Sequence, residues 1–371
     1  QKDFVGQRAL SSGSWYRMSI TENGVYKIDK AFLESCNIST SGLNPAHLHI
    51  YGNGEGMLPQ DNSIERTDDL AQCAIQPVGL NDGSFDEGDY ILFYGRGPHQ
   101  FELNGLVYGR KTNIYADESN YFISVNPNVS PKYIEAAALS NGTTTNTIDE
   151  VDYMVYYGKE TYNLMKGGQR WYSDLFDTEL SKNFSFNIPD VIASEDVYFH
   201  YALASNSNNS NSNRYKLYVN NSLIENNPLP SVSTDYLRVQ SVLADKTSTA
   251  PSISFRLEID RNSPDVLTYL DYINVYGRRS LKMLGNQMEF TDSRSVGNGQ
   301  IGEFKLDSDN KALTLWDVTD WQNPGKINTT NAGGILSFKV ETEVRKTFYA
   351  FTTGRFKVPT FVERVNNQSL H

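Results

Sequence analysis

Apolar and polar residues alternate in short runs along most of this chain, and Gly, Pro, Asn and Asp separate the runs. A repeat of two predicts strands, because successive strand side chains point to opposite faces. Tyr16, Met18 and Ile20 share one strand face, and Asn23-Gly24 ahead of residues 25–28 reads as a hairpin turn. Asp29 is placed to cap a short helix over 31–34, and 68–75 reads as a second short helix or turn. Strands follow at 47–51, 90–94 and 121–125.

Between 137 and 150 the text turns polar, with Ser-Asn-Gly-Thr-Thr-Thr-Asn-Thr, which predicts a domain boundary. Beyond it come seven alternating runs, at 151–157, 184–188, 197–203, 215–219, 236–242, 253–259 and 269–276. Their number and punctuation predict a jelly-roll-like β-sandwich. The Ser/Asn tract 205–213 reads as a solvated loop between adjacent strands. The chain is thus expected to be mostly β, with two or three β domains and one or two short helices in the first. The divisions are 1–146, a sandwich over 147–284, further strands over 285–358 that complete the sandwich or form a small third domain, and an irregular tail from Pro359 to residue 371.

Composition supports this reading and narrows the function. Tyr (23) and Phe (18) are abundant among 371 residues while Met (6) and Cys (2) are scarce, a balance that suits pleated sheet. A net charge of −11 repels phosphate backbones, so no nucleic-acid partner is expected; the densest basic pair is Arg278-Arg279. No run approaches the roughly 18 apolar residues of a membrane-spanning helix, so no direct membrane insertion is expected. Cys36 and Cys73 either pair or remain two buried thiols. The sequence begins at Gln1 with no Met and no signal-peptide pattern, which is expected of a mature or a trimmed chain.

Candidate chemistry is sparse. His47 and His49, at i and i+2, would face the same way on a strand and offer two metal ligands, but no third ligand has a matching position. The loop Gly52-Asn53-Gly54-Glu55-Gly56 lacks the Gly-Lys-Ser/Thr of a phosphate cradle and reads as a tight chain reversal. Asp82, Asp86 and Asp89 form an oxygen-rich stretch that could hold calcium, yet the stretch fails the EF-hand pattern. Trp171, Tyr172 and Trp321 are the candidates for stacking on a sugar. No Gly-x-Ser-x-Gly elbow occurs, neither cysteine has the setting of a nucleophile, and 44 acidic residues single out no catalytic pair. No cofactor and no catalytic residue are assigned.

Several segments together resemble the region ahead of the peptidase domain in the type IX secretion sortases, the PorU-type members of the gingipain-like (C25) cysteine peptidases. They are Ser12-Gly13-Ser14-Trp15-Tyr16-Arg17, Asn23-Gly24-Val25-Tyr26-Lys27-Ile28, and Leu43-Asn44-Pro45 running on to Tyr51-Gly52-Asn53-Gly54-Glu55-Gly56-Met57-Leu58-Pro59. Phe85-Asp86-Glu87-Gly88-Asp89-Tyr90 through Gly97-Pro98, Trp316-Asp317-Val318-Thr319-Asp320 and Asn367-Gln368-Ser369-Leu370-His371 complete the set. The middle region, 150–280, matches in strand pattern more than in motif. The resemblance implies a cell-surface, outer-membrane-associated protein exported across the inner membrane. Its full-length form would cleave C-terminal sorting domains from secreted cargo and join cargo to a surface glycolipid. It also implies a downstream peptidase domain carrying the catalytic Cys and His, and an outer-membrane β-barrel partner of PorV type. The rival expectation is a carbohydrate-binding β-sandwich module of a secreted surface protein.

Overall fold

The computed structural model describes residues 8–368 apart from 55, 60, 62, 105–106, 165, 168–169, 209–211, 234 and 248–250. The chain is mostly β and divides into two compact units, and it passes between them more than once. The first unit takes residues up to Gln100, Thr112–Asp149 and those from Lys282 on. The second takes Phe101–Lys111 and Glu150–Leu281.

In the first unit a five-stranded sheet runs in the order Thr360–Val365, Ser14–Ile20, Ser119–Val125, Leu48–Gly52 and Gln72–Cys73. A three-stranded sheet holds Gly24–Asp29, Tyr90–Gly95 and Ile75–Val78. Asn23-Gly24 therefore closes no hairpin: Ser14–Ile20 pairs with Ser119–Val125, while Gly24–Asp29 pairs with Tyr90–Gly95 in the other sheet. Residues 68–75 form no helix either; Gln72–Cys73 and Ile75–Val78 are short strands, because Cys73 and Ile75 have the core to fill. The helix is Lys30–Ser35, and Asp29 caps it by accepting from the Phe32 amide at 2.9 Å, satisfying an otherwise orphan donor.

Residues 282–371 belong to this first unit. Gln287 holds Val25 in both directions, its Oε1 accepting from the Val25 amide (2.9 Å) and its Nε2 donating to the Val25 carbonyl (3.2 Å). Trp316, Tyr349 and Phe351 enter the same core as Ile20, Val25 and Tyr94. Two further sheets, built on Thr347–Thr352 and Ile301–Asp307, close over a cluster of Phe290, Phe304, Phe338 and Phe348. Burying each such ring contributes on the order of 2 kcal/mol. The polar stretch after Tyr133 supplies parallel edge strands to these sheets, Glu135–Ala136 on Gly325–Ile327 and Asn146–Ile148 on Ile301–Asp307. Nor is the tail after Pro359 irregular throughout: Thr360–Val365 pairs antiparallel with Ser14–Ile20. Residues 369–371, at the end of the last resembling segment, lie outside the described residues.

The second unit is the jelly roll that the strand pattern predicted. Counted along the chain, its eight long strands are Glu150–Gly158, Ser181–Asn187, Asp196–Ser205, Arg214–Val219, Ser222–Pro228, Arg238–Thr247, Ser252–Asp260 and Thr268–Ser280. One sheet reads first, eighth, third, sixth; the other reads second, seventh, fourth, fifth. That interleaving is the double Greek key of a jelly roll. Alternate residues such as Phe199, Tyr201, Phe255 and Ile273 fill the space between the sheets. The hydroxyls of Tyr201 and Tyr215 escape burial without a partner by reaching Glu225 Oε2 at 3.1 and 3.0 Å. The two ends of the tract 205–213 are less solvated than expected. Ser205, Ser207 and Asn213 are buried, and Asn213 Nδ2 donates to Ser207 Oγ at 2.9 Å while its Oδ1 accepts from the Asn262 amide. Between the fourth and fifth strands, Asn220 (φ 48°) and Asn221 (φ 63°) make a two-residue turn of the mirror-image type that matches strand twist.

Candidate ligand-binding face

The outer face of the first–eighth–third–sixth sheet should be polar, since only its inner face is needed for the core. Register instead lines up Tyr156, Asn274, His200 and Leu243 in one row across the four strands. The adjacent row is Met154, Tyr276, Tyr198 and Asp245. Tyr198 and Tyr276 stack with ring centroids 5.1 Å apart and planes 10° from parallel.

Both ends of this face are covered. At one end lies a hairpin of Gln100–Asn104 and Val107–Lys111, which sequence reasoning missed. Its Tyr108 hydroxyl donates to Asp152 Oδ2 at 2.5 Å, and Arg278 Nη1 donates to Asp152 Oδ1 at 2.6 Å. The Asp152 and Arg278 side chains are only 7% and 9% exposed. Arg110 of the same hairpin sits 4.3 Å over the Tyr156 ring. At the other end Tyr162 and Tyr172 close on Tyr269 and Ala204, and Arg170 donates twice to Asp271 Oδ2.

Between the two coverings is a window of half-buried and buried groups: Tyr156, Tyr272, Asn274, His200 and Tyr198. Tyr272 OH lies 3.3 Å from His200 Nε2. Burial holds the His200 imidazole below its usual pKa, so it is neutral at physiological pH, and burial also pushes the Tyr276 phenol up to about 12. His200 Nδ1, Asn274 Oδ1 and Tyr276 OH are buried without a hydrogen-bond partner. The signal for this window was present as Tyr198-x-His200 and Tyr272-x-Asn274-x-Tyr276, the outward halves of alternating strands.

The residues singled out from sequence fall elsewhere. Only His49 lies in a strand, Leu48–Gly52; His47 ends a 3-10 turn, Pro45–His47, so the two imidazoles do not share a strand face. His49 is fully buried, its Nε2 3.0 Å from the Asn126 carbonyl and its Nδ1 3.1 Å from Gln72 Nε2. An acceptor on one side and an amide donor on the other occupy both nitrogens. Asp82 Oδ1 accepts from the Ser84 amide and Asp89 Oδ2 from the Asp86 amide, which makes local turns. Among the described residues no group of three His, Cys, Asp or Glu is arranged to hold a metal ion.

Tyr172 (5% exposed) and Trp321 (9%) are core residues, whereas Trp171 is 36% exposed. A side chain on Gly54 would meet the Trp321 ring at 2.8 Å, so that glycine serves close packing; Glu55, within the same loop, lies outside the described residues. Cys36 and Cys73 are free and buried, and burial raises both thiols, Cys73 to about 12. Arg278-Arg279 is no surface patch. Arg279 is 2% exposed, donates from Nε to the Pro189 carbonyl at 3.0 Å and from Nη2 to Asp190 Oδ2 at 3.2 Å.

No family model and no curated protein matches the sequence. Among solved structures, dimeric latent PorU from Porphyromonas gingivalis superposes with a TM-score of 0.81 over 98% of this chain, at 19% sequence identity. The chain has the fold of part of PorU. It spans about a third of that protein, 34% of its length. The mosquito-larvicidal Cry4Aa toxin from Bacillus thuringiensis matches at a TM-score of only 0.24, with 11% identity over 69% of this chain and 43% of the toxin, and carries no argument. The segments that resemble the sortases meet inside the first unit. Asn23 Oδ1 accepts from the Gly97 amide (3.0 Å), the Arg96 amide donates to Tyr121 OH (2.8 Å), and the Trp316 ring packs edge-on against Phe351 at 4.9 Å. They are packing and capping residues of a PorU-like fold.

Proposed function

We propose that this chain is a non-catalytic β scaffold of a cell-surface type IX secretion sortase. The observation that carries the reading is the superposition on PorU over nearly the whole chain. A rigid β scaffold suits such a role, because a peptidase acting on a tethered substrate needs fixed spacing from its membrane partner. Both thiols are pushed away from the thiolate form that a cysteine nucleophile needs, which favours an active site outside these residues. The parent would cleave C-terminal sorting domains from cargo and attach cargo to a surface glycolipid, held at the outer membrane by a β-barrel of PorV type.

The test is the reading frame after His371 combined with a sorting assay. A following domain with a His and a reactive Cys, and loss of cargo processing when that Cys becomes Ala in an otherwise intact parent, are the expected results. A stop codon directly after His371, or peptide turnover by the 371-residue chain alone, would refute the proposal.

A further inference from the structure

From the window on the jelly roll, we infer that the second unit binds a neutral saccharide, seated on Tyr272 and Tyr198 and hydrogen-bonded by Asn274 and His200. The inference goes beyond the scaffold role and does not depend on it. It rests first on the unmade hydrogen bonds. Native proteins leave few buried polar atoms without a partner, because each costs its full desolvation. Here three such atoms, on Asn274, His200 and Tyr276, fall in two adjacent rows of one sheet face. Asn274 is 6% and Tyr276 7% exposed, so solvent does not relieve them.

The chemistry of the face selects the ligand. Of the two rows, exposed Asp245 on the sixth strand carries the carboxylate, while Tyr156, Tyr272, Asn274, His200, Tyr198 and Tyr276 bring no carboxylate, ammonium or guanidinium. The charges at its ends are engaged: Arg278 with Asp152, Arg170 with Asp271, and Arg110 over the Tyr156 ring. An anionic ligand would find no counter-charge among these residues and would be repelled by Asp245 at the margin. The face instead offers flat aromatic surface beside an amide, an imidazole and phenols, which are neutral donors and acceptors. A pyranose has the complementary pair of surfaces, an apolar C–H face for a ring and an equatorial rim of hydroxyls for directional groups. The hairpin at one end and Tyr162–Tyr172 at the other limit the length of chain that can lie across the sheet.

The experiment is binding of the 371-residue chain to immobilised neutral oligosaccharides of glucose, galactose and mannose, with sialylated and phosphorylated glycans in parallel. Affinity is then measured by calorimetry for two variants. Asn274→Leu keeps the branched shape and heavy-atom count and removes the amide; His200→Phe keeps a ring and removes both nitrogens. At least one neutral glycan is expected to bind, with affinity falling about tenfold or more in each variant, the scale of one lost directional hydrogen bond. Asn274→Leu should melt at or above the temperature of the parent, since it removes an unpartnered buried group. The inference is overturned if no neutral glycan binds, if only charged glycans bind, or if both variants bind as the parent does. A lower melting temperature for Asn274→Leu would also overturn it, by showing that the amide has a structural partner.

Discussion

Asp152 and Arg278 allow a quantitative test of how the hairpin is held to the jelly roll. Replacing Arg278 by Met keeps much of the stem that lies against the sheet and removes the guanidinium, which donates to Asp152 Oδ1 at 2.6 Å and to the Glu150 carbonyl at 2.7 Å. The Asp152 side chain is 7% exposed, so its charge is left with the Tyr108 hydroxyl as its remaining side-chain donor. Removing one member of a buried ion pair costs about 3–5 kcal/mol, most of it the burden of the stranded charge. For a unit of this size that is a fall of about 10 °C in melting temperature. Removing both charges, in Arg278→Met with Asp152→Leu, abolishes the stranded charge and is expected to recover most of the loss. The assay is a double-mutant cycle in urea, following the transition of the second unit, with limited proteolysis to report on the hairpin. The reasoning is refuted if Arg278→Met costs less than about 1 kcal/mol, or if the double variant is no more stable than the single one.

Three further outcomes are expected. His49 is held neutral by burial, with a native pKa below its unfolded value of about 6.5, so its contribution is full above that pH and drains as pH falls through the lower native value; denaturation between pH 7.5 and 5 should show stability falling, and His49→Gln should flatten that slope. Asn221 adopts φ 63°, so Asn221→Val should cost about 1–2 kcal/mol in the second unit's urea transition, while Asn221→Gly should cost little or stabilise. Cys36 and Cys73 should resist a thiol reagent in the native state at pH 8 and both react in denaturant; prompt native labelling of Cys73 would contradict its burial.

The jelly roll was legible because its core strands alternate cleanly. Phe184 and Phe186, Tyr215 to Val219, and Ile253 to Ile259 each send every second residue inward, and no local signal competes. The aspartate cap at Asp29 was similarly legible, since an acid ahead of Lys30–Ser35 finds a free amide of the first turn by geometry alone. Non-local facts were not legible. Nothing in residues 100–111 says that this hairpin leaves the first unit for Asp152, because the decisive partner lies 44 positions away from Tyr108. Thr360–Val365 was hidden by Pro359, which marks a break locally but permits an edge strand after it. Among the aromatic sugar candidates, Trp321 and Tyr172 are large rings of the kind a core consumes first. Outward members of alternating strands, such as His200 and Asn274, point to a surface more reliably.

The pairing of Thr360–Val365 with Ser14–Ile20 also orders the molecule in time. A ribosome or export channel delivers the N-terminal strand first, yet its outer neighbour arrives some 340 residues later. All the segments of the jelly roll, by contrast, have emerged once Leu281 is out. The interior portion can thus mature while the flanking portion waits with an open sheet edge, a long-range closure of the kind that slows folding and leaves pairing surfaces exposed. Refolding should therefore show a fast phase reporting on residues 101–111 and 150–281 and a slower one that disappears when Thr360–Val365 is disrupted.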